Sequence, residues 1–157
     1  MTIHIDIQHA SKTDCPIEDA IITNWAEATL QSEQNTGELT IRLVDIDEIT
    51  NLNHQYRQQQ KPTNVLAFPS RLPPNVTLDC PLLGDVILCP SVLEQESMAG
   101  NLPLQAHWAH IIIHGILHLL GFDHINPKDA DLMEIREIAL LSKFGFDNPY
   151  TEDHHVE

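Results

Sequence analysis

The stretch HGILHLLGFDH, residues 114–124, lies at the end of a long apolar run. Between Pro103 and Leu120 no proline interrupts a sequence rich in Leu, Ile, Ala and His, and Gly115 is the only glycine. This composition predicts a largely buried helix. Gly121 follows the last apolar residue and is expected to end the helix.

Three histidines in this stretch have a spacing that suits a metal ion. A helix advances about 100° per residue, so His114 and His118 project from one face, one turn apart. If Gly121 leaves the helix with positive φ, His124 returns towards the same point as a third nitrogen ligand. Three protein ligands leave a position for water or substrate, as in a catalytic zinc site. We therefore predict one zinc ion, although nickel or copper would accept the same nitrogens.

The other histidines are expected to have lesser roles. His107 and His110 share the helical face but lie further along the axis, which favours packing or hydrogen bonding over ligation. Asp123 either orients a ligand imidazole or caps the turn. His154 and His155 are interpreted as part of a solvated end.

The spacing H-x-x-x-H-x-x-G-x-x-H is that of the metzincin peptidases. In those enzymes the residue after the first histidine is a glutamate that acts as general base. Here that residue is Gly115, and no acid occupies a matching helical position. The sequence therefore favours a different hydrolytic chemistry over peptide cleavage.

Outside this helix, apolar periodicity predicts a small sheet with helices packed on it. Asp14 and Pro16 are expected to open a helix, and Asp47 to cap the next one, which ends near Arg57. The predicted order of elements is strand, helix, strand, helix, two strands and then helices. This order implies an α/β (α+β) sandwich. The predicted strands are residues 2–8, 39–45, 65–69 and 84–90. The predicted later helices are residues 91–99, 103–120 and 127–144, the last with a cap at Asn126. The proline-rich segment between the last two strands is predicted to be an exposed loop.

Eight Lys and Arg residues against 23 Asp and Glu residues give a formal net charge of -15. At long range such a chain repels polyanions and membrane surfaces, which argues against nonspecific binding of nucleic acid. Arg57, Lys61 and Arg71 nevertheless fall in one short segment, so the charge is uneven. A local basic cleft, or a partner that brings the polyanion, would still allow specific binding of nucleic acid.

The length of 157 residues predicts a single domain, residues 1–157. The chain does not open with basic residues followed by an apolar run. No uninterrupted apolar stretch reaches the ~18 residues of a membrane helix. We therefore expect a cytoplasmic protein that does not enter a membrane.

The histidine stretch HGILHLLGFDH and three further sequence blocks, at residues 56–69, at residues 83–90 and near the C-terminus, resemble the YbeY family. This is a family of bacterial endoribonucleases that act in ribosomal RNA maturation. HGILHLLGFDH is similar to the histidine signature of that family, with Phe122 where Tyr is common. Residues 56–69, YRQQQKPTNVLAFP, and residues 83–90, LGDVILCP, resemble two further family blocks, and FDNPY resembles the closing segment. The resemblance extends over nearly the whole chain.

The resemblance implies a fold, an activity and site residues. The fold is an α/β sandwich with a four-stranded mixed sheet. His114, His118 and His124 correspond to the family's zinc ligands, and Arg57 corresponds to an arginine required for RNA cleavage, so Arg57 and His114 are the candidate catalytic residues. The substrate is single-stranded RNA, in maturation of the 3′ end of 16S ribosomal RNA and in ribosome quality control. The implied partners are a small-subunit ribosomal protein and an assembly GTPase.

The chemistry of the bond explains how a site without the glutamate could act. Phosphodiester cleavage builds negative charge on phosphate oxygens, which a zinc ion and a guanidinium both stabilise. Arg57 could grip the phosphate through two parallel hydrogen bonds, whereas position alone would favour a surface salt bridge. Lys61 either adds attraction or is simply solvated. Whether water or the RNA 2′-hydroxyl attacks stays open at this point.

Two alternatives remain compatible with the histidine spacing. The first is a metal-dependent peptidase or other hydrolase, because histidine geometry does not select a substrate. The second is a ribosome assembly factor without catalytic activity, whose zinc ion only stabilises the fold. RNA and casein assays with and without a chelator would separate these alternatives.

Overall fold

A computed structural model describes residues 2–70, 81–122 and 127–150. Most of the predicted proline-rich loop, the cap at Asn126 and the histidines near the C-terminus lie outside these ranges. The elements in chain order are β1 (Ile3–His9), α1 (Asp19–Ser32), β2 (Gly37–Leu43), α2 (Ile46–Arg57), β3 (Val65–Pro69), β4 (Leu82–Leu88), α3 (Pro90–Ala99), α4 (Leu104–Leu119) and α5 (Pro127–Lys143).

The sheet has four strands in the order β1-β2-β4-β3. β2 pairs in parallel with both β1 and β4, whereas β3 pairs antiparallel with β4. The predicted four-stranded mixed sheet is therefore confirmed. Among the described strands β3 lies at one edge, with β4 as its neighbour.

The helices cover both faces of the sheet. α1, α4 and α5 pack with Val86 and Leu88 of β4 in the larger core. The smaller core, on the other face, joins α2 to Leu66 of β3 and Ile87 of β4. α4 is the most enclosed helix, as its composition predicted, with nine buried residues. No helix in the described ranges combines the length and the apolar character that crossing a bilayer requires.

Two predicted helix starts are wrong, and one carboxylate accounts for part of both errors. α1 begins at Asp19 rather than near Asp14 and Pro16, and α2 begins at Ile46 rather than after a cap at Asp47. The Asp45 side chain does not cap its own helix. It accepts hydrogen bonds from the Ser11 hydroxyl at 2.6 Å and the Lys12 backbone N–H at 3.1 Å, which ties the non-helical segment before α1 to the start of α2.

Candidate metal and substrate cleft

A cleft of about 790 Å³ runs along β3, between the C-terminal end of α2 and the middle of α4. It brings together Arg57, His114 and His118, residues that the sequence predicted to act at one site. Its charged, imidazole and aromatic lining consists of Arg42, Glu48, Tyr56, Arg57, Phe68, Asp85, His114 and His118.

His114 is oriented by a buried carboxylate. Its Nδ1 lies 2.6 Å from Oε2 of Glu137 on α5, and the Glu137 side chain is 1% exposed. An ionised carboxylate can only accept, so His114 donates its Nδ1–H. In the neutral ring this places the lone pair on Nε2, the form in which a histidine binds a metal ion.

Two further donors hold Glu137 in place. His110 Nε2 lies 2.9 Å from Oε1, and the Tyr150 hydroxyl donates to the same oxygen. Burial disfavours the charged form of Glu137, but hydrogen bonds from His110, His114 and Tyr150 outweigh it and lower the pKa to about 2. Burial and the neighbouring carboxylate raise the pKa of Tyr150, so its hydroxyl stays a donor. His110 therefore has the hydrogen-bonding role that was predicted for it.

His118 lies one turn after His114, and the two ring centroids are 5.2 Å apart. The helix ends at Leu119, and Gly121 has a φ of +110°, as the predicted turn requires. His124, the predicted third ligand, and Asp123 lie outside the described residues. Within the described ranges no group of three His, Cys, Asp or Glu side chains is arranged so that it could hold a metal ion. The two described histidines, one of them oriented through Nδ1, have donor chemistry that suits zinc.

Close packing of α4 on the sheet explains why residue 115 is a glycine. A Cβ atom at Gly115 would lie 2.9 Å from Val65 Cγ2 and 3.0 Å from Val86 Cγ1. Both neighbours are β-branched and have little rotamer freedom. The glutamate of the metzincin pattern therefore cannot be accommodated here without displacing the strands below the helix.

Arg57 is delivered to the cleft as the last residue of α2. The turn that follows is held by buried Asn53, whose Nδ2 donates to the Lys61 carbonyl at 2.9 Å. Arg57 itself is exposed and makes no ion pair with any part of the chain that the structure describes. The surface salt bridge that position alone favoured is thus not formed there. Lys61 is exposed and does not line the cleft.

The segment that joins α2 to β3 is held by side chains of α3 and α4. Asn64 Nδ2 donates to Glu96 Oε1 at 3.1 Å, and His107 Nε2 lies 2.9 Å from the same oxygen. This bridge ties the start of β3 to α3 and α4. His107 thus serves packing through a hydrogen bond, as predicted.

The described cleft is balanced in charge rather than basic. Arg42 pairs with Glu48 at 3.1 Å, and Asp85 is a second carboxylate in the lining. Arg71, which the sequence grouped with Arg57, lies outside the described residues. Arg57 is therefore the cation that this cleft presents without a described carboxylate partner.

Sequence reasoning missed Glu137 and gave no role to Tyr150. A signal for Glu137 was present, because its neighbours on the buried face of α5 are Met133, Leu140 and Leu141. A carboxylate on an apolar helical face is rarely buried without a partner. That pattern could have marked Glu137 as part of a buried polar site.

Comparisons with known proteins agree with the fold and the motifs. A family model described as Endoribonuclease YbeY matches residues 6–145. A protein named Endoribonuclease YbeY from Legionella pneumophila (strain Corby) is 51% identical over 158 residues, with 100% of each chain covered. Another of that name, from Pseudomonas putida, is 46% identical over 151 residues, which is 96% of this chain and 95% of the relative.

Among the solved structures, a Thermotoga maritima protein determined in solution has a similar fold. It superposes with a TM-score of 0.61 at 27% identity over 87% of each chain. The family model spans both walls of the cleft, including Arg57, His114 and His118. With this coverage and the full-length similarity to curated relatives, the chain belongs to the YbeY endoribonuclease family.

Proposed function

We propose that this protein is a zinc-dependent endoribonuclease that cuts single-stranded RNA. Membership of the YbeY family supports the reaction class. The observation that carries the proposal for this chain is the shared cleft, which is lined both by Arg57 and by two histidines of α4. A phosphate held between them would face a cation on one side and imidazole nitrogens on the other.

In this proposal His114, His118 and His124 hold one zinc ion. When bound, the ion supplies a Lewis acid that stabilises negative charge developing on a phosphate oxygen. Glu137 keeps His114 in the Nδ1–H tautomer and fixes the ring plane. Arg57, exposed at the end of its helix, offers two parallel N–H donors to the phosphate.

The lining also bears on the peptidase alternative. A peptidase of the metzincin pattern needs a carboxylate after the first histidine, and the space at Gly115 is filled by Val65 and Val86. In phosphodiester cleavage a carboxylate beside the bond would repel the phosphate, so the glycine is no handicap. The packing therefore favours RNA over peptide as substrate.

The wider role that we propose is maturation of the 3′ end of 16S ribosomal RNA and ribosome quality control in the cytoplasm, by one domain of residues 1–157. A small-subunit ribosomal protein and an assembly GTPase are the proposed partners. The balanced cleft and the net charge of -15 support delivery of the substrate by a partner. Binding of free RNA is expected to be weak and sensitive to salt.

The deciding experiment measures cleavage of single-stranded RNA and of casein, with and without chelator, by protein freed of contaminating nucleases. RNA cleavage that the chelator stops and that Arg57→Ala abolishes is the expected result. Arg136→Ala, which removes an arginine from α5 outside the cleft, is the matched control and should cut normally. If the protein cuts no RNA under any condition and the chelator lowers its melting temperature, the results would instead favour an assembly factor that zinc stabilises.

A further inference from the structure

The edge strand β3 turns part of its backbone into the cleft. Two hydrogen bonds establish which part: the Cys89 N–H donates to the Asn64 carbonyl at 3.1 Å, and the Ser70 N–H donates to the Leu83 carbonyl at 3.0 Å. In an antiparallel pair, hydrogen-bonded and non-hydrogen-bonded residues alternate. Even-numbered residues of β3 therefore face β4, and odd-numbered residues face away from it.

Val65 and Ala67 are the odd-numbered residues of β3 that carry an N–H group. β3 is the last strand of the sheet, so these groups point away from the ladder at its open edge. Both residues line the cleft that holds Arg57 and His118. No described residue accepts from these two backbone donors, so they are available to a ligand within the cleft.

Tyr56 stands beside this edge, immediately before Arg57. Its ring packs on Phe68 of β3 with centroids 5.0 Å apart and planes at 62°. Tyr56 is nevertheless 56% exposed, and of the large apolar side chains exposed in the described ranges it is the one that lines the cleft. The contact with Phe68 is T-shaped, and more than half of the Tyr56 surface stays exposed beside it.

We propose that Tyr56 and the open edge of β3 form a subsite for one unpaired nucleotide of the RNA. The base stacks on the Tyr56 ring, and the N–H groups of Val65 and Ala67 donate to phosphate or sugar oxygens of the same strand. Stacking and backbone donors tolerate any base, so the subsite would not select a particular sequence. The inference rests on the proposed function, because it takes RNA as the ligand.

The subsite gives a physical origin for a preference for single strands. A base in a duplex is stacked and paired, and reaching Tyr56 would require breaking both contacts. An unpaired base pays no such cost. Tyr56 therefore selects single-stranded RNA, whereas Arg57 grips a phosphate that both kinds of RNA present.

The first test measures stacking by binding and not by cleavage. A short single-stranded RNA carrying 2-aminopurine is titrated with the wild type, Tyr56→Phe and Tyr56→Ala, and its integrity is checked on a denaturing gel. Wild type and Tyr56→Phe should quench the fluorescence, and Tyr56→Ala should bind roughly 5- to 150-fold more weakly. Equal binding and quenching by Tyr56→Ala would overturn the proposal.

The second test removes one backbone donor. Proline is tolerated on an edge strand where the N–H faces away from the ladder, so Ala67→Pro should keep the sheet while deleting that donor. Ala67→Ser keeps the N–H and is the matched control, and melting curves of both variants report on folding. Weaker RNA binding by a folded Ala67→Pro, but not by Ala67→Ser, is expected. Unchanged binding by a folded Ala67→Pro would remove the β3 edge from the subsite.

The pattern across variants distinguishes this inference from its alternatives. An extended peptide would add to the β3 edge through the same donors. If Ala67→Pro loses RNA binding and Tyr56→Ala does not, the β3 edge binds its ligand without the Tyr56 ring. That result would overturn the nucleotide subsite. RNA that stacks on Tyr56 but is never cut would contradict the proposed nuclease and leave the subsite intact. RNA that is cut equally by Tyr56→Ala, with unchanged KM, would contradict the subsite alone.

Discussion

The histidine side of the cleft and the arginine side are held by different kinds of contact. His114 is fixed through its ring, by a carboxylate that is 1% exposed and that two other side chains also bind. Arg57 is fixed only through its backbone, at the end of α2, and its side chain is exposed without a described ion pair. One side is pre-organised for a small ion, and the other leaves a long side chain free to follow a flexible substrate.

This difference means that the two sides should respond differently to substitution. Changes near His114 remove buried contacts, so they should lower stability and metal affinity together. Changes at Arg57 remove no described side-chain hydrogen bond or ion pair, so they should affect the reaction alone.

The largest effect is expected from Gly115→Glu, which restores the metzincin residue. Its Cβ would collide with Val65 and Val86, and its carboxylate would enter a packed interface between helix and sheet. We expect little folded protein, and a loss of more than about 3 kcal/mol in the free energy of unfolding of any that folds. Urea denaturation measures this loss.

Gly115→Ala in a Val65→Ala background is the control for Gly115→Glu, because the second substitution removes the closest atom. This double variant should recover stability relative to Gly115→Ala alone. A stable Gly115→Glu protein that cleaves casein would contradict both the packing argument and the choice of RNA over peptide.

Glu137→Gln should have the next largest effect, on metal affinity. The amide keeps the shape of the side chain but brings N–H groups towards the donors of His110 and His114. Loss of such a partner typically weakens metal binding about 10- to 100-fold. Competition with a chromogenic chelator measures the zinc affinity directly. Asp131→Asn, an exposed change on the same helix, should leave the affinity unchanged.

The pH dependence of the free energy of unfolding separates the contribution of the Glu137 charge from that of its side-chain shape. Folding lowers the pKa of Glu137 from near 4.5 to about 2, so its charge stabilises the protein above the unfolded value. The difference in unfolding free energy between wild type and Glu137→Gln should be constant above about pH 5. It should shrink by on the order of 3 kcal/mol as the pH falls towards 2, at about 1.4 kcal/mol for each pH unit. A difference that does not change with pH would mean that folding leaves the pKa of Glu137 unshifted.

What the sequence could predict is the part that local geometry decides. Helical periodicity alone places His114 and His118 on one face, and a glycine after the last apolar residue predicts the positive φ at Gly121. The contact between His114 and Glu137 joins residues 23 apart on two helices, and no period in the sequence specifies how those helices cross. The start of α1 was missed for a related reason, because Asp45, 34 residues beyond Ser11, holds the preceding segment.

The smallest effect on the folded protein is expected from Arg57→Ala. Its side chain makes no described ion pair, and exposed substitutions of this kind usually change stability by no more than about 0.5 kcal/mol. Zinc content, measured by elemental analysis, should also stay at the wild-type value, while RNA cleavage is lost. His114→Ala should lose zinc and cleavage together.

Arg57→Lys sharpens this last prediction, because it keeps the charge and removes the paired N–H donors. If Arg57 binds the phosphate through two parallel hydrogen bonds, lysine should restore little of the cleavage rate. If charge alone matters, lysine should restore most of it, and the bidentate grip is wrong. A marked loss of stability in Arg57→Ala would show instead that the exposed side chain supports the fold, and the contrast between the two sides of the cleft would fail at the arginine.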